Sequence, residues 1–146
     1  MREQELPVAM ENFRNKCREF GLKITPQRAA IYKELLQASD HPTIDSILKK
    51  VRVVLPSISF DTVYRTVISF SEAGIIHMVG GFGGSRRFDA DTSRHHHFKC
   101  IKCGKIFDFL SDYYDNVKIP EEFSRNFKVL SKRVLLEGIC RECCKK

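Results

Sequence analysis

The stretch SFDTVYRTVISFSEAGIIHMVGGFGGSRRFD, residues 59–89, changes its period in the middle. In its first half Val63, Thr66, Val67 and Phe70 fall on one side of a helix, with Ser59 placed to cap it and Gly74 to end it. In its second half IIHMV, GGFGG and SRRFD read as strand, glycine-rich turn and strand, a hairpin. A helix running straight into a hairpin is the pattern of a winged helix, whose last helix enters the major groove of DNA. Ser59, Thr62, Tyr64 and Arg65 sit near the start of that helix, carry hydrogen-bonding groups and avoid the apolar stripe. They are the candidate DNA-contacting residues.

Upstream, three more helices are expected. Met10, Phe13, Cys17 and Phe20 repeat at helical spacing over residues 8–20 and stop at Gly21. Thr25 can cap a second helix with Pro26 in its first turn, and Thr43 a third that runs through Ile44, Ile47, Leu48 and Val51. Downstream the character changes. FKCIKCGKIFDF and FKVLSKRVLLEGIC are strand-like, separated by a polar segment with room for a short helix after Pro120. The expected class is α+β: a winged-helix domain over residues 1–88 and a small α/β domain over residues 89–146, hinged near DADT, 89–92. About sixty residues bury little apolar surface, so the second domain needs a metal staple, a partner subunit or both.

The bulk numbers agree with a folded intracellular chain. Of its 146 residues 42% are apolar and 29% charged, and no run of about 18 apolar residues could span a bilayer. MREQELPVAM lacks the apolar core of a signal peptide, so a cytoplasmic protein with reduced thiols and no membrane partner is expected. The formal net charge is +7, with 11 basic and 9 acidic residues up to position 80 and 14 and 9 beyond it. Because bound cations and thiolates would alter the later sum, charge alone is weak support for a nucleic-acid partner.

Cysteine spacing is more informative. Cys100 and Cys103 form one C-x-x-C, followed by Gly104, and Cys140 and Cys143 form another. A lone pair would suit a redox disulfide. Two pairs suit a closed four-thiolate zinc site. The 36 residues between them exceed the roughly 15 to 20 of a zinc ribbon, so such a site would pin distant strands and be structural. Cys17 lies on an apolar helix face and reads as core, while Cys144 is a decoy beside Cys143.

The run HHHFKC, residues 95–100, adds a second metal signal. In a strand His95 and His97 share one face, and His96, Phe98 and Cys100 share the other. The two outer histidines therefore need partners away from the cysteines. Asp89, Asp91, Asp108, His41, His77 and His96 are the available residues, and mixed nitrogen and oxygen donors suit Fe(II), Mn(II) or Zn(II).

DTVYRTV, the histidine run before C-x-x-C-G-K, the FDF after it and the terminal C-x-x-C together resemble the ferric uptake regulator superfamily over nearly the whole chain. Asp89 in RRFDA and Asp108 in GKIFDF resemble its peroxide-responsive branch, where iron-sensing relatives commonly carry glutamate at the latter position. The resemblance implies a dimeric, metal-dependent repressor that binds a double-stranded operator. Its structural Zn(II) would sit on Cys100, Cys103, Cys140 and Cys143, and its regulatory Fe(II) or Mn(II) on His41, Asp89, His95, His97 and Asp108. His96 stands where an aromatic residue often separates the ligand histidines, which leaves an alternative ligand set open. SKR at 131–133 lacks the histidine of an auxiliary site, so no third metal is expected.

The implied mechanism is Fe(II)-dependent oxidation of His41 or His95 by hydrogen peroxide, with release of DNA. A regulator of iron, zinc or manganese supply would use the same site without that reaction. A metalloenzyme could activate water at an open coordination position, but no paired general base or substrate motif supports one.

Overall fold

A computed structural model describes residues 5–80 and 86–145 and divides the chain into two compact units, Met1–Thr92 and Ser93–Lys146. The first is built from four helices, α1 (Leu6–Glu19), α2 (Pro26–Gln37), α3 (Ile44–Val54) and α4 (Phe60–Glu72). Three of them start at the residues with capping chemistry. Thr25 Oγ1 accepts from Arg28 N at 3.2 Å, Thr43 Oγ1 from Ser46 N at 3.3 Å and Ser59 Oγ from Thr62 N at 3.1 Å. Each bond satisfies an amide that the helix leaves open, worth about 1 kcal/mol.

α4 ends where Gly74 takes φ +69, a conformation that costs a residue without Cβ little. Ile75 and Ile76 were expected to begin the strand. Instead both amides bond back to Phe70 O and both side chains are fully buried, so they close the helix onto the core. The hairpin is shorter than the alternation suggests: β1 (His77–Val79) pairs antiparallel with β2 (Arg87–Asp89), His77 opposite Asp89. Gly81 to Gly84 of the expected glycine-rich turn lie outside the described residues.

The core of this unit gathers the stripes of all four helices around Phe13, Tyr32 and Phe70. Phe13 and Tyr32 stack with centroids 4.1 Å apart, and Phe70 meets Phe13 edge-on at 5.3 Å. Cys17 is fully buried among them, and burial pushes its thiol pKa up, so it is inert packing rather than a nucleophile.

The second unit is a three-stranded sheet. Central β3 (His96–Cys100) pairs antiparallel with β4 (Ile106–Phe109) and parallel with β5 (Leu135–Gly138). α5 (Asp112–Asp115) and α6 (Glu121–Asn126) fall between β4 and β5, and α7 (Arg141–Cys144) follows. The helix expected after Pro120 is α6. The strand expected across FKVLSKRVLLEGIC is confined to Leu135–Gly138, because residues before it are committed elsewhere: Lys132 Nζ donates to Asp115 O at 2.7 Å and Val134 N to His96 Nδ1 at 3.1 Å. The one buried hydrophobic cluster described in this unit is Cys100, Cys140 and Cys143 with Phe98 against it.

Candidate metal centre

The four paired cysteines converge. Their sulfur atoms all lie within 4.8 Å of one another, and Cys103 Sγ is 3.8 Å from Cys140 Sγ. Four sulfurs about 2.3 Å from one zinc stand roughly 3.8 Å apart at the corners of a tetrahedron, so this donor set fits Zn(II) in both chemistry and spacing. Cys100 closes β3, and Gly104 at φ +73 lets the chain turn so that Cys103 returns beside it. Cys140 is the N-cap of α7, whose single turn presents Cys143 to the same point. Lys105 Nζ and Glu142 Oε2 make an ion pair at 3.0 Å across the two arms.

Cys100 and Cys143 sit in different electrostatic environments. Backbone N–H groups of Cys103 and then Cys140 aim at Cys100 Sγ and lower its pKa to about 6. Cys143 moves the other way, to about 12, because its hydrogen bond to the Cys140 thiol and its burial both favour the protonated form. A metal binding here therefore displaces protons, and acid opposes it. All six cysteines are free thiols, so no pair is a disulfide. Cys144 is exposed, 3.6 Å from Ile139 O, and lies outside the four-thiol group.

The second set of predicted ligands is divided between the two units. On the first, His41 Nε2 is 3.4 Å from Asp89 Oδ2. That pair is held by the hydrogen bonds around it: the Arg87 side chain donates from Nη1 to His41 O at 2.8 Å, Phe88 N donates to Pro42 O at 3.0 Å, and Asp91 N donates to the Asp89 carboxylate Oδ1 at 2.9 Å. On the second unit, His95 Nε2 and His97 Nε2 lie 3.0 Å apart, with Asp108 Oδ1 3.3 Å from His97 Nε2 and 3.8 Å from His95 Nε2. Two nitrogens about 2.1 Å from one ion at a right angle stand about 3 Å apart, so this trio also fits a metal. His95 Nδ1 is 2.8 Å from Ser93 O and donates to it when protonated, which leaves Nε2 its lone pair for an ion. Asp108 reaches the histidines because β4 places it opposite His97.

The sequence leaves His96 open as an alternative ligand. It turns to the opposite face, as strand alternation requires, and uses Nε2 on Asp115 and Nδ1 on the Val134 amide. The supporting residues Arg87, Ser93 and Asp115 carried no signal in the sequence, since each acts through a contact that spacing does not reveal.

Of the candidate DNA contacts, Tyr64 and Arg65 are exposed on α4 and Thr62 is half-buried beside the Ser59 cap. Tyr64 stacks on Phe60 with centroids 6.1 Å apart, and Arg65 Nε pairs with Asp61 Oδ2 at 2.9 Å. Val63, Thr66, Val67 and Phe70 are buried on the other side.

A winged-helix unit joined to a small sheet with a four-cysteine cluster defines a metal-binding regulator fold. Residues 19–137 match the ferric uptake regulator family, and the chain belongs to that family. It is 38% identical over 146 residues to the peroxide operon regulator of Bacillus subtilis, covering 100% of this chain and 98% of that one. It superposes on the peroxide-sensing regulator PerR of Streptococcus pyogenes with TM-score 0.52 at 30% identity, covering 92% of each chain. The ferric uptake regulator Fur of Helicobacter pylori shares the fold at TM-score 0.77 and 24% identity, over 97% of this chain and 95% of that one.

Proposed function

We propose that the protein is a metal-dependent transcriptional repressor that senses hydrogen peroxide, acting in the cytoplasm as a homodimer on a two-fold DNA operator. The observation that carries this reading is the pair of preassembled ligand clusters, His41 with Asp89 on the winged-helix unit and His95, His97 and Asp108 on the sheet unit. One Fe(II) or Mn(II) taking ligands from both would set the angle between a DNA-binding domain and a dimerisation domain. In a dimer that angle sets the spacing of the two α4 helices and hence their fit to two half-sites. Ser59, Thr62, Tyr64 and Arg65 are the proposed operator contacts.

Zn(II) on Cys100, Cys103, Cys140 and Cys143 holds the sheet unit together. The dimer reading draws on its surface: Ile101, Leu110, Tyr113, Phe123, Phe127 and Leu130 are all more than half exposed. A unit with so little buried apolar surface and so much exposed has the composition of half an interface. No helix among the described residues is long and apolar enough to cross a membrane.

Fe(II) held by His41, Asp89, His95, His97 and Asp108 would supply the electrons that reduce hydrogen peroxide, so that oxidation would start within the site. The ligand rings are its nearest targets. Oxygen added to His41 or His95 makes the ring a poorer donor, uncouples the two clusters and lowers DNA affinity. The identity to the Bacillus subtilis regulator and Asp108 at the acidic position favour this over sensing of metal supply.

The test is operator binding by the metal-free, Mn(II) and Fe(II) forms, each with and without peroxide, followed by mass spectrometry. Both metals should restore binding, and peroxide should abolish it only for Fe(II), with one oxygen on His41 or His95. Undiminished binding by the peroxide-treated Fe(II) form would leave a repressor that reads metal supply.

A further inference from the structure

His96 stands between two ligand histidines and faces away from both. Its ring is fully buried, with Nε2 3.0 Å from Asp115 Oδ1 and Nδ1 accepting from Val134 N at 3.1 Å. Because Nδ1 accepts, the ring proton is on Nε2 and is donated to the Asp115 carboxylate. Neither nitrogen is left over. Asp115 ends α5, and its own carbonyl takes Lys132 Nζ at 2.7 Å, while Arg94 Nε lies 4.0 Å from its carboxylate. Phe109 and Tyr114 flank the imidazole, with ring centroids 5.5 and 5.8 Å away. One side chain thus ties β3 to α5 and to the segment entering β5.

We propose that His96 is a positioning residue for the regulatory metal: with Asp115 and the Val134 amide it pins the register of β3, so that His95 and His97 present both Nε2 atoms beside Asp108. This inference rests on the regulatory site proposed above and adds the residues that shape it. A strand's side chains alternate, so a slip of one residue would turn the ligand histidines to the opposite face and His96 to theirs. Ladder hydrogen bonds are similar in the slipped register and discriminate weakly. The His96 bonds are made in one register only. Cys100, four residues along on the same face, anchors the far end of β3 through the thiolate centre, so the strand is held at both ends from behind while its front carries the ligands.

The prediction separates geometry from bulk stability. In the full chain loaded with zinc, Asp115→Leu removes the acceptor from His96, Asp115→Asn keeps an oxygen for it, and His96→Phe removes both bonds while filling the space. Mn(II) affinity is read by electron paramagnetic resonance, and site geometry by the visible bands of Co(II). Melting temperature and zinc content are followed alongside. Asp115→Leu and His96→Phe should weaken Mn(II) by about 10- to 100-fold and alter the Co(II) bands, while Asp115→Asn stays close to the parent. Should His96→Phe fail to fold, the two Asp115 variants decide the matter. Parent-like Mn(II) affinity and Co(II) bands in Asp115→Leu overturn the proposal whatever its melting temperature, as does an equal loss in Asp115→Asn. His97→Ala is the control for the underlying reading. If it binds Mn(II) like the parent, the regulatory site is elsewhere and this inference falls with it. If it loses Mn(II) while Asp115→Leu does not, only the role of His96 is refuted.

Discussion

The two units solve the same problem, how to hold a chain together in water, by different chemistry. The first buries aromatic and aliphatic stripes from four helices, with Phe13, Ile31, Val51, Val63 and Phe70 wholly inaccessible. The second buries three of its cysteines and little else that is apolar. Cohesion in the first is spread over many contacts, each worth about 1.5–3 kcal/mol for a large side chain. In the second it is concentrated at one point, where a structural zinc can contribute about 10–16 kcal/mol of apparent binding free energy. A distributed core tolerates injury by degrees. A single staple does not.

The largest effect should come from breaking the staple. Cys100→Ser or Cys140→Ser should abolish zinc retention and unfold the sheet unit, leaving the helical signal of the first unit. Metal analysis with circular dichroism and sedimentation checks this, and a zinc-free variant that stays a folded dimer would defeat the comparison. Phe70→Ala should be next, costing about 3–5 kcal/mol in the first unit through the cavity it opens beside Phe13 and Tyr32. Denaturant titration should show that loss with zinc content unchanged. Thr43→Ala removes the cap of α3 and should cost about 1 kcal/mol. Because Thr43 is two residues from His41, the same variant should weaken Mn(II) slightly more than Thr25→Ala does. The smallest effect belongs to Lys105→Ala. Its ion pair with Glu142 bridges the two zinc-binding arms at the surface, where solvent screens it, so zinc content and melting should match the parent.

The same contrast governs what could be read from the sequence. Helix starts at Thr25, Thr43 and Ser59 were legible because a cap is a local bond between residues three apart. So was the opposite orientation of His95 and His96, which follows from the pleat alone. The extent of β5 was not, because FKVLSKRV alternates like a strand while Lys132 and Val134 answer to α5 and β3. One-turn helices such as α5 and α7 have no periodicity to detect. Asp115 was invisible as the partner of His96 for the same reason: nineteen residues separate them, and only the folded sheet unit brings them together. Metal ligands announce themselves by chemistry, whereas the residues that aim them do so only through contact.

β3 carries Cys100 at one end and His97 near the other, in a strand of five residues. On the proposed reading, a chain that leaves the ribosome during zinc starvation would be deaf as well as unfolded, since the strand that zinc fastens carries His97 and begins just after His95. On that account, competence is licensed by one element and the message is read with another. A cell would carry two populations of the same polypeptide, and their ratio would record the zinc supply at the time of synthesis rather than the oxidant present at the moment of measurement.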